Sequence, residues 1–118
     1  MTVAGHRHER IAGEIQQEIS VMLAGELKDP RLGGLATVTE VRVSPDLKHA
    51  RVYVRVMGTE EEQGAALEGL HAASGFIRHE LTERLLVRRA PELNFVLDRS
   101  EEYGQRIEDL IRRNKTPG

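Results

Sequence analysis

The sequence predicts a single α+β domain, because helical and strand-like patterns alternate along it. Near the start, isoleucines and leucines recur every three or four residues, which is the spacing of an amphipathic helix. Residues 50–56 alternate between apolar and polar side chains, as does a strand with one buried face. Helical spacing returns after residue 59. We expect one domain over residues 1–118, with an ordered core over residues 7–112 and flexible ends.

The first element is a helix that must bury one face against the rest of the domain. Asp29-Pro30 should end this helix, because the residue before a proline is disfavoured in the helical conformation. The apolar residues of the face are Ile11, Ile15, Ile19, Met22, Leu23 and Leu27.

An antiparallel hairpin follows the first helix. Residues 38–43 and 50–56 form its strands, and residues 44–47 (Ser-Pro-Asp-Leu) form the turn. Val38 is out of phase with Val41, so we expect a β-bulge between these two valines.

Residues 59–89 are predicted to contain two helices. Thr59 and Glu62 have the spacing of a capping box at the first helix start. Ser74-Gly75 then interrupts the apolar stripe, and a glycine inside a helix costs up to about 1 kcal/mol relative to alanine. We therefore expect a kink or a cap at this position.

A third strand and a last helix complete the predicted order, which is α-β-β-α-kink-α-β-α. Leu93, Phe95 and Leu97 alternate with other side chains, as expected for a strand. Ser100 should cap a helix with Tyr103 on its apolar face. Among the few aromatic residues, we expect Phe76, Phe95 and Tyr103 to lie in the core. We expect Tyr53 to lie on the solvent-exposed face of the sheet.

Composition limits the classes of function. The chain has no cysteine, which excludes disulfides and thiolate chemistry and makes a reducing compartment the default. No apolar stretch approaches the ~20 residues of a membrane span or follows the first charges as in a signal peptide. We expect a soluble, cytoplasmic monomer that makes no membrane contact.

Although the net charge is −2, the sequence contains two basic clusters. Residues 42–55 contain four lysines or arginines against one aspartate, and residues 78–89 contain four arginines against two glutamates. Such clusters indicate either a binding face for nucleic acid or ordinary solvated surface, and charge alone does not decide between them.

Catalytic motifs are absent from the sequence. It contains no phosphate-binding loop, serine nucleophile elbow or paired zinc histidines. His6 and His8 could reach one metal ion, but their spacing on a terminal arm is more typical of solvated side chains. We expect no enzymatic activity, no cofactor and no metal site.

The predicted kink is the candidate functional segment. The backbone N–H groups of Gly75, Phe76 and Ile77 would be free in the first turn of the second helix. Such a helix start attracts phosphate through its N–H donors and its dipole. Arg78 and Arg89 would lie along the exposed flank of that helix. A plain helix corner with solvated arginines would explain the same residues.

Short motifs along nearly the whole chain, from about Arg7 to Ile111, resemble those of one family. They are Leu27-Lys28-Asp29-Pro30-Arg31, Thr37-Val38-Thr39, Ser44-Pro45-Asp46-Leu47, Ala73-Ser74-Gly75-Phe76-Ile77-Arg78, Pro91-Glu92-Leu93 and Tyr103-Gly104. Their order and spacing resemble the bacterial ribosome-binding factor A family. The element order is similar to a type II KH domain in which Ala73-Ser74-Gly75 replaces the usual GxxG loop.

This resemblance implies a type II KH-like domain with a three-stranded sheet covered by helices on one face. It implies a ribosome biogenesis factor that binds the free 30S subunit and 16S ribosomal RNA and assists late maturation and 5′-end processing of that RNA. It further implies a part in cold adaptation and release by a ribosome-associated GTPase, without catalytic residues or a cofactor.

The candidate RNA-binding residues are Ala73, Ser74, Gly75, Arg78, His79, Arg88 and Arg89, with Arg7, Arg10, Lys28 and Arg31 as a secondary set. Two other functions stay open. The domain could be a protein-interaction module on a KH-like scaffold, since fold does not fix function, or a KH protein that binds another RNA.

Overall fold

The computed structural model describes residues 7–27, 29–31, 36–99 and 110–112 of the chain. The elements in order are helix α1 (Arg7–Val21), a π-helical turn (Met22–Glu26), strands β1 (Ala36–Val43) and β2 (His49–Val56), helix α2 (Glu60–Arg84) and strand β3 (Glu92–Leu97). None of the helices in these ranges is long and apolar enough to cross a membrane.

Helix α1 forms because its isoleucines lie on one face and pack into the core, whereas Val21 at its end is exposed. The π-helical turn ends it at Leu27, whose backbone is extended and whose N–H donates to the carbonyl of Met22 at 2.9 Å. The predicted end before Asp29-Pro30 is therefore confirmed. The buried residues of α1 are Ile11, Ala12, Ile15 and Ile19.

The predicted hairpin and its bulge are confirmed. Strands β1 and β2 pair antiparallel, and their register shifts between Val38 and Glu40. Thr39, the residue between them, donates its hydroxyl to a carboxylate oxygen of Asp98 at 2.5 Å. The bulge is thus joined to the end of β3 rather than left to solvent.

The hairpin turn is stabilised by Asp46. Its Oδ1 accepts hydrogen bonds from the Ser44 hydroxyl at 2.6 Å and from the Lys48 backbone N–H at 3.1 Å. These bonds, chiefly the one from Ser44, hold the pKa of the Asp46 carboxyl below its ordinary value. Leu47 completes the turn with a left-handed backbone, at φ 62°.

Helix α2 is a single helix of 25 residues, so the prediction of two helices is wrong. Its start is as predicted, because Thr59 and Glu62 form the capping box with bonds of 3.0 and 3.2 Å. The helix continues through Ser74-Gly75, whose serine hydroxyl donates to the His71 carbonyl at 2.8 Å.

The buried stripe of α2 explains this continuity. Leu70 and Ile77 are seven residues apart, which is nearly two full turns, so the stripe keeps its phase across Gly75. Burial of large side chains on both sides of the glycine contributes more than the roughly 1 kcal/mol that one glycine costs a helix. The buried residues of α2 are Ala66, Gly69, Leu70, Ile77 and Leu81.

The sheet has the order β1-β2-β3, and β3 runs parallel to β2 with α2 as the connection. One face packs against both helices, while the other carries exposed polar side chains. The predicted three-stranded sheet covered by helices on one face is confirmed. The sheet residues buried in the core are Val38, Val41, Val43, Ala50, Val52, Val54, Val56, Leu93 and Phe95.

Two aromatic residues fall as predicted and a third does not. Phe95 is buried in the core, and Tyr53 lies half-buried on the open sheet face beneath the guanidinium of Arg42. Phe76 is 49% exposed, because it lies next to Ile77, which occupies the core position, so its side chain falls off the buried stripe. The core prediction for Phe76 is wrong.

The last predicted helix falls largely outside the described residues. Leu110–Arg112 are helical and exposed. The predicted cap at Ser100 and the apolar position Tyr103 lie outside the described part of the chain.

Candidate nucleic-acid interface

The predicted phosphate site at a helix start does not form. Gly75, Phe76 and Ile77 lie inside α2, so they do not form the first turn of a helix, where backbone N–H groups are free to point at a ligand. Ala73 packs against the core, and Gly75 is exposed, with nothing within 4 Å of the position a Cβ would take. Contact between Ala73-Ser74-Gly75 and RNA stays a prediction, but it has no helix terminus to support it.

Arg78 is a half-buried structural residue, so its predicted position as a free, exposed cation is wrong. Its Nε donates to the Pro91 carbonyl and its Nη2 donates to the Ala90 carbonyl, each at 3.1 Å. Thr82 strengthens the same connection, because its hydroxyl donates to the Arg78 carbonyl at 2.9 Å and accepts from the Ala90 N–H at 3.2 Å. Together these bonds hold the segment after α2 against the helix.

Three separate segments meet at a concavity of about 570 Å³. They are the start of α1, the β1–β2 turn and the segment between α2 and β3. We call this concavity the basic cleft, because its lining includes five cations and two carboxylates. The cations are Arg7, Lys48, Arg78, Arg88 and Arg89, and the carboxylates are Asp46 and Glu92.

Most cations of the basic cleft are available to a ligand. Arg7, Lys48, Arg88 and Arg89 are exposed, and their side chains make no hydrogen bond or ion pair with another described residue. The Asp46 carboxylate, in contrast, is occupied by the turn. An excess of unpaired positive charge in a concave, partly apolar site attracts anions.

The secondary candidates differ in their freedom to bind. Arg10 is exposed on α1, whereas Lys28 lies outside the described residues. Arg31 is paired with Asp29, with Nη2 and Oδ2 2.6 Å apart. This hydrogen-bonded pair lowers the pKa of the Asp29 carboxyl to about 2. The structure brings Arg7 into the cleft, while His79 is exposed on α2 and does not line it.

Arg84 belongs to the basic cluster of residues 78–89 but is fully engaged within the fold. Its guanidinium contacts Glu18 of α1 at 3.3 Å, Glu26 of the π-helical turn at 2.6 Å and Glu80 at 3.0 Å. Hydrogen bonding to these carboxylates, chiefly that of Glu26, raises the pKa of Arg84. This arginine joins α2 to the end of α1, and its charge is already neutralised by glutamates of the same chain.

Lys48 is a cleft residue that the sequence analysis did not select. In the sequence, Lys48 belongs to the same basic cluster as Arg42, Arg51 and Arg55, but these arginines lie on the open face of the sheet. Arg42 is paired there with Glu40 at 3.1 Å. The sequence signal for Lys48 was its position in the turn. Side chains in a strand alternate between the two faces of the sheet, whereas a side chain in a turn does not follow that alternation.

The described residues contain no group of three or more His, Asp or Glu side chains that could hold a metal ion. His6, one of the two histidines considered for such a site, lies outside those residues.

The sequence profile of the ribosome-binding factor A family matches residues 7–111. The chain belongs to this family. Ribosome-binding factor A of Acetivibrio thermocellus is 53% identical over 105 residues, which cover 89% of this chain and 85% of that protein.

Solved structures of the family share the fold. The crystal structure of ribosome-binding factor A from Thermus thermophilus matches with a TM-score of 0.68 and 31% identity, covering 76% of this chain and 93% of that one. A homology model of the Thermus thermophilus factor, fitted into a cryo-EM map of a 30S–RbfA complex, matches with a TM-score of 0.61 and 31% identity over 75% of this chain and 91% of that one. The α+β fold with a three-stranded sheet and helices is therefore that of the family.

Proposed function

We propose that this protein is a ribosome biogenesis factor that binds the free 30S subunit by contacting 16S ribosomal RNA through the basic cleft. The observation that carries the proposal is the convergence of Arg7, Lys48, Arg88 and Arg89 on one concavity, without an ion pair among the described residues. Family membership and the 30S complex of the Thermus relative support the choice of this RNA.

The cleft suits docking on folded RNA. Contacts from arginine and lysine to phosphates fix the position and orientation of a protein on its nucleic acid. The segment that carries Arg88 and Arg89 is itself fixed, because Arg78 and Thr82 bond to Ala90 and Pro91. A rigid set of cations loses little freedom on binding. The continuous helix α2, in turn, offers no GxxG-type loop for gripping a single strand.

The family resemblance supports the finer parts of the proposal. The protein assists late maturation of the small subunit, including 5′-end processing of 16S ribosomal RNA, and serves growth in the cold. It acts by binding alone, without catalysis, in the cytoplasm where subunits assemble, and a ribosome-associated GTPase promotes its release.

A salt titration of binding to purified 30S subunits tests the electrostatic basis of this function. If the four exposed cleft cations each neutralise one phosphate, log affinity falls against log salt with a slope of roughly −3 to −4, taking ~0.7–0.9 per phosphate. Affinity that does not change with salt would contradict RNA docking and favour a protein-interaction module.

A further inference from the structure

The basic cleft has apolar walls that phosphate binding alone does not require. A phosphate is satisfied by cations and N–H donors on an open surface. A nucleobase instead has a flat, poorly hydrated face that gains by contact with apolar side chains or a guanidinium plane. The apolar residues that line the cleft are Ile11, Leu47, Leu85, Val87, Ala90 and Pro91.

Arg78 supplies a rigid polar group in the lining of the cleft. Two of its nitrogens are held by the carbonyls of Ala90 and Pro91, which leaves Nη1 and the guanidinium face for a ligand. A guanidinium that is already fixed loses little side-chain freedom on binding, and its plane stacks well on aromatic rings.

The turns on two sides of the cleft have an unusual backbone. Among the described residues, only Leu47 and Leu86 are non-glycine residues with positive φ, at 62° and 54°. Leu47 lines the cleft, and Leu86 lies between two lining residues, Leu85 and Val87. Residues with a left-handed backbone occur in turns and after helix ends, and those that are not glycine also cluster at functional sites, including ligand sites.

We propose that the basic cleft binds one unstacked nucleotide of the RNA. Its base lies against Leu47, Leu85 and Val87, and its phosphates contact Arg88 and Arg89 at the rim. The cleft volume of about 570 Å³ falls within the range of roughly 300–1,000 Å³ that is usual for small-molecule sites. This inference rests on the proposed RNA-binding function and specifies what the site takes: a splayed-out nucleotide rather than duplex backbone alone.

Nuclear magnetic resonance titrations of the full chain test the inference with simple probes. AMP, CMP, GMP and UMP are compared with ribose 5-phosphate and inorganic phosphate. Base stacking is worth roughly ten- to a hundredfold in affinity. We therefore expect the nucleotides to shift the amide signals of Leu47, Leu85 and Val87, and ribose 5-phosphate to bind at least about tenfold more weakly. Equal binding of nucleotides and inorganic phosphate would overturn the inference.

A matched pair of variants separates the cleft from the rest of the protein surface. Val87→Trp fills the cleft and should weaken nucleotide binding at least about tenfold. Val21→Trp makes the same exchange at a residue of α1 that is 48% exposed and does not line the cleft, so nucleotide binding should be unchanged. Undiminished binding to a folded Val87→Trp protein would contradict the site. If Val87→Trp does not fold, the comparison of nucleotides with inorganic phosphate on the unmodified protein still tests whether the cleft binds a base.

Binding to 30S subunits, measured on the same unmodified protein, distinguishes the two proposals. Nucleotides that fail to bind while 30S binding persists would overturn the nucleotide site and leave RNA docking intact. A lack of 30S binding would overturn the proposed function itself.

Discussion

Two groups of arginines within residues 78–89 have opposite roles. Arg78 and Arg84 are bound by the protein itself, the first by two backbone carbonyls and the second by three glutamates. Arg88 and Arg89, just beyond the end of α2, have no such partners among the described residues. The same residue type in one basic cluster therefore stabilises the fold at two positions and has no partner among the described residues at two others.

The local backbone explains why the arginines differ. Arg78 and Arg84 lie on a helix packed against α1 and β3, so carbonyls and carboxylates of those neighbours come within reach of their side chains. Arg88 and Arg89 lie in the irregular segment after the helix, at the rim of a concavity. Charge clusters in a sequence give the sign of a surface, whereas the surrounding elements decide which charges a partner can use.

The largest expected effect on stability is at Arg78. Arg78→Met keeps much of the side-chain length but leaves the carbonyls of Ala90 and Pro91 without their donors. Hydrogen bonds from charged groups contribute roughly 1.5–3 kcal/mol, so we expect the free energy of unfolding to fall by about 2–3 kcal/mol. Denaturant unfolding of this variant beside Arg88→Met measures the contrast. Equal stability of the two variants would remove the distinction between bound and free arginines.

A smaller loss of stability is expected for Arg84→Met. The variant leaves three carboxylates close together without their shared cation, but water and salt reach this partly exposed site and weaken the interaction. Thermal melts at low and high salt should show a decrease in melting temperature that shrinks as salt rises. A melting temperature that is unchanged at low salt would show that Arg84 is not a structural cation.

The smallest effect is a gain in stability from Gly75→Ala. The added methyl group has open space and the helix is continuous, so alanine should stabilise α2 by up to about 1 kcal/mol. Urea denaturation measures this gain, with Gly64→Ala as a matched control at another open position in the same helix. A loss of stability at position 75 alone would indicate a break in α2 at this glycine.

Much of the fold could be predicted from the sequence, because the local patterns of apolar and capping residues agree with the tertiary structure. The phase change after Val38 predicted the bulge, and Thr59 with Glu62 predicted the cap of α2. The prediction of two helices was wrong because it considered only the cost of Gly75 to a helix. The matching phase of Leu70 and Ile77 was the stronger signal, and it favours one helix.

The candidate site was harder to predict than the fold. Arg88 and Arg89 belong to a basic cluster in the sequence, and Arg7 was a secondary candidate. Their meeting with Lys48 depends on how α1, the hairpin turn and the α2–β3 segment pack together. Neither periodicity nor charge contains that information. The role of Arg78 was also missed, because its partners are backbone carbonyls, which no side-chain pattern reveals.

The most direct measurement compares two double charge reversals for binding to 30S subunits. Arg88→Glu/Arg89→Glu places negative charge at the rim of the basic cleft, and Arg51→Glu/Arg55→Glu makes the same charge change on the open sheet face. All four arginines are exposed, so both variants should fold, and thermal melts verify this before binding is compared. We expect the cleft variant to lose at least about a hundredfold in affinity, or roughly 3 kcal/mol, and the sheet variant to lose far less. Binding that survives the cleft reversal but is lost with the sheet reversal would contradict the assignment of the basic cleft as the RNA site.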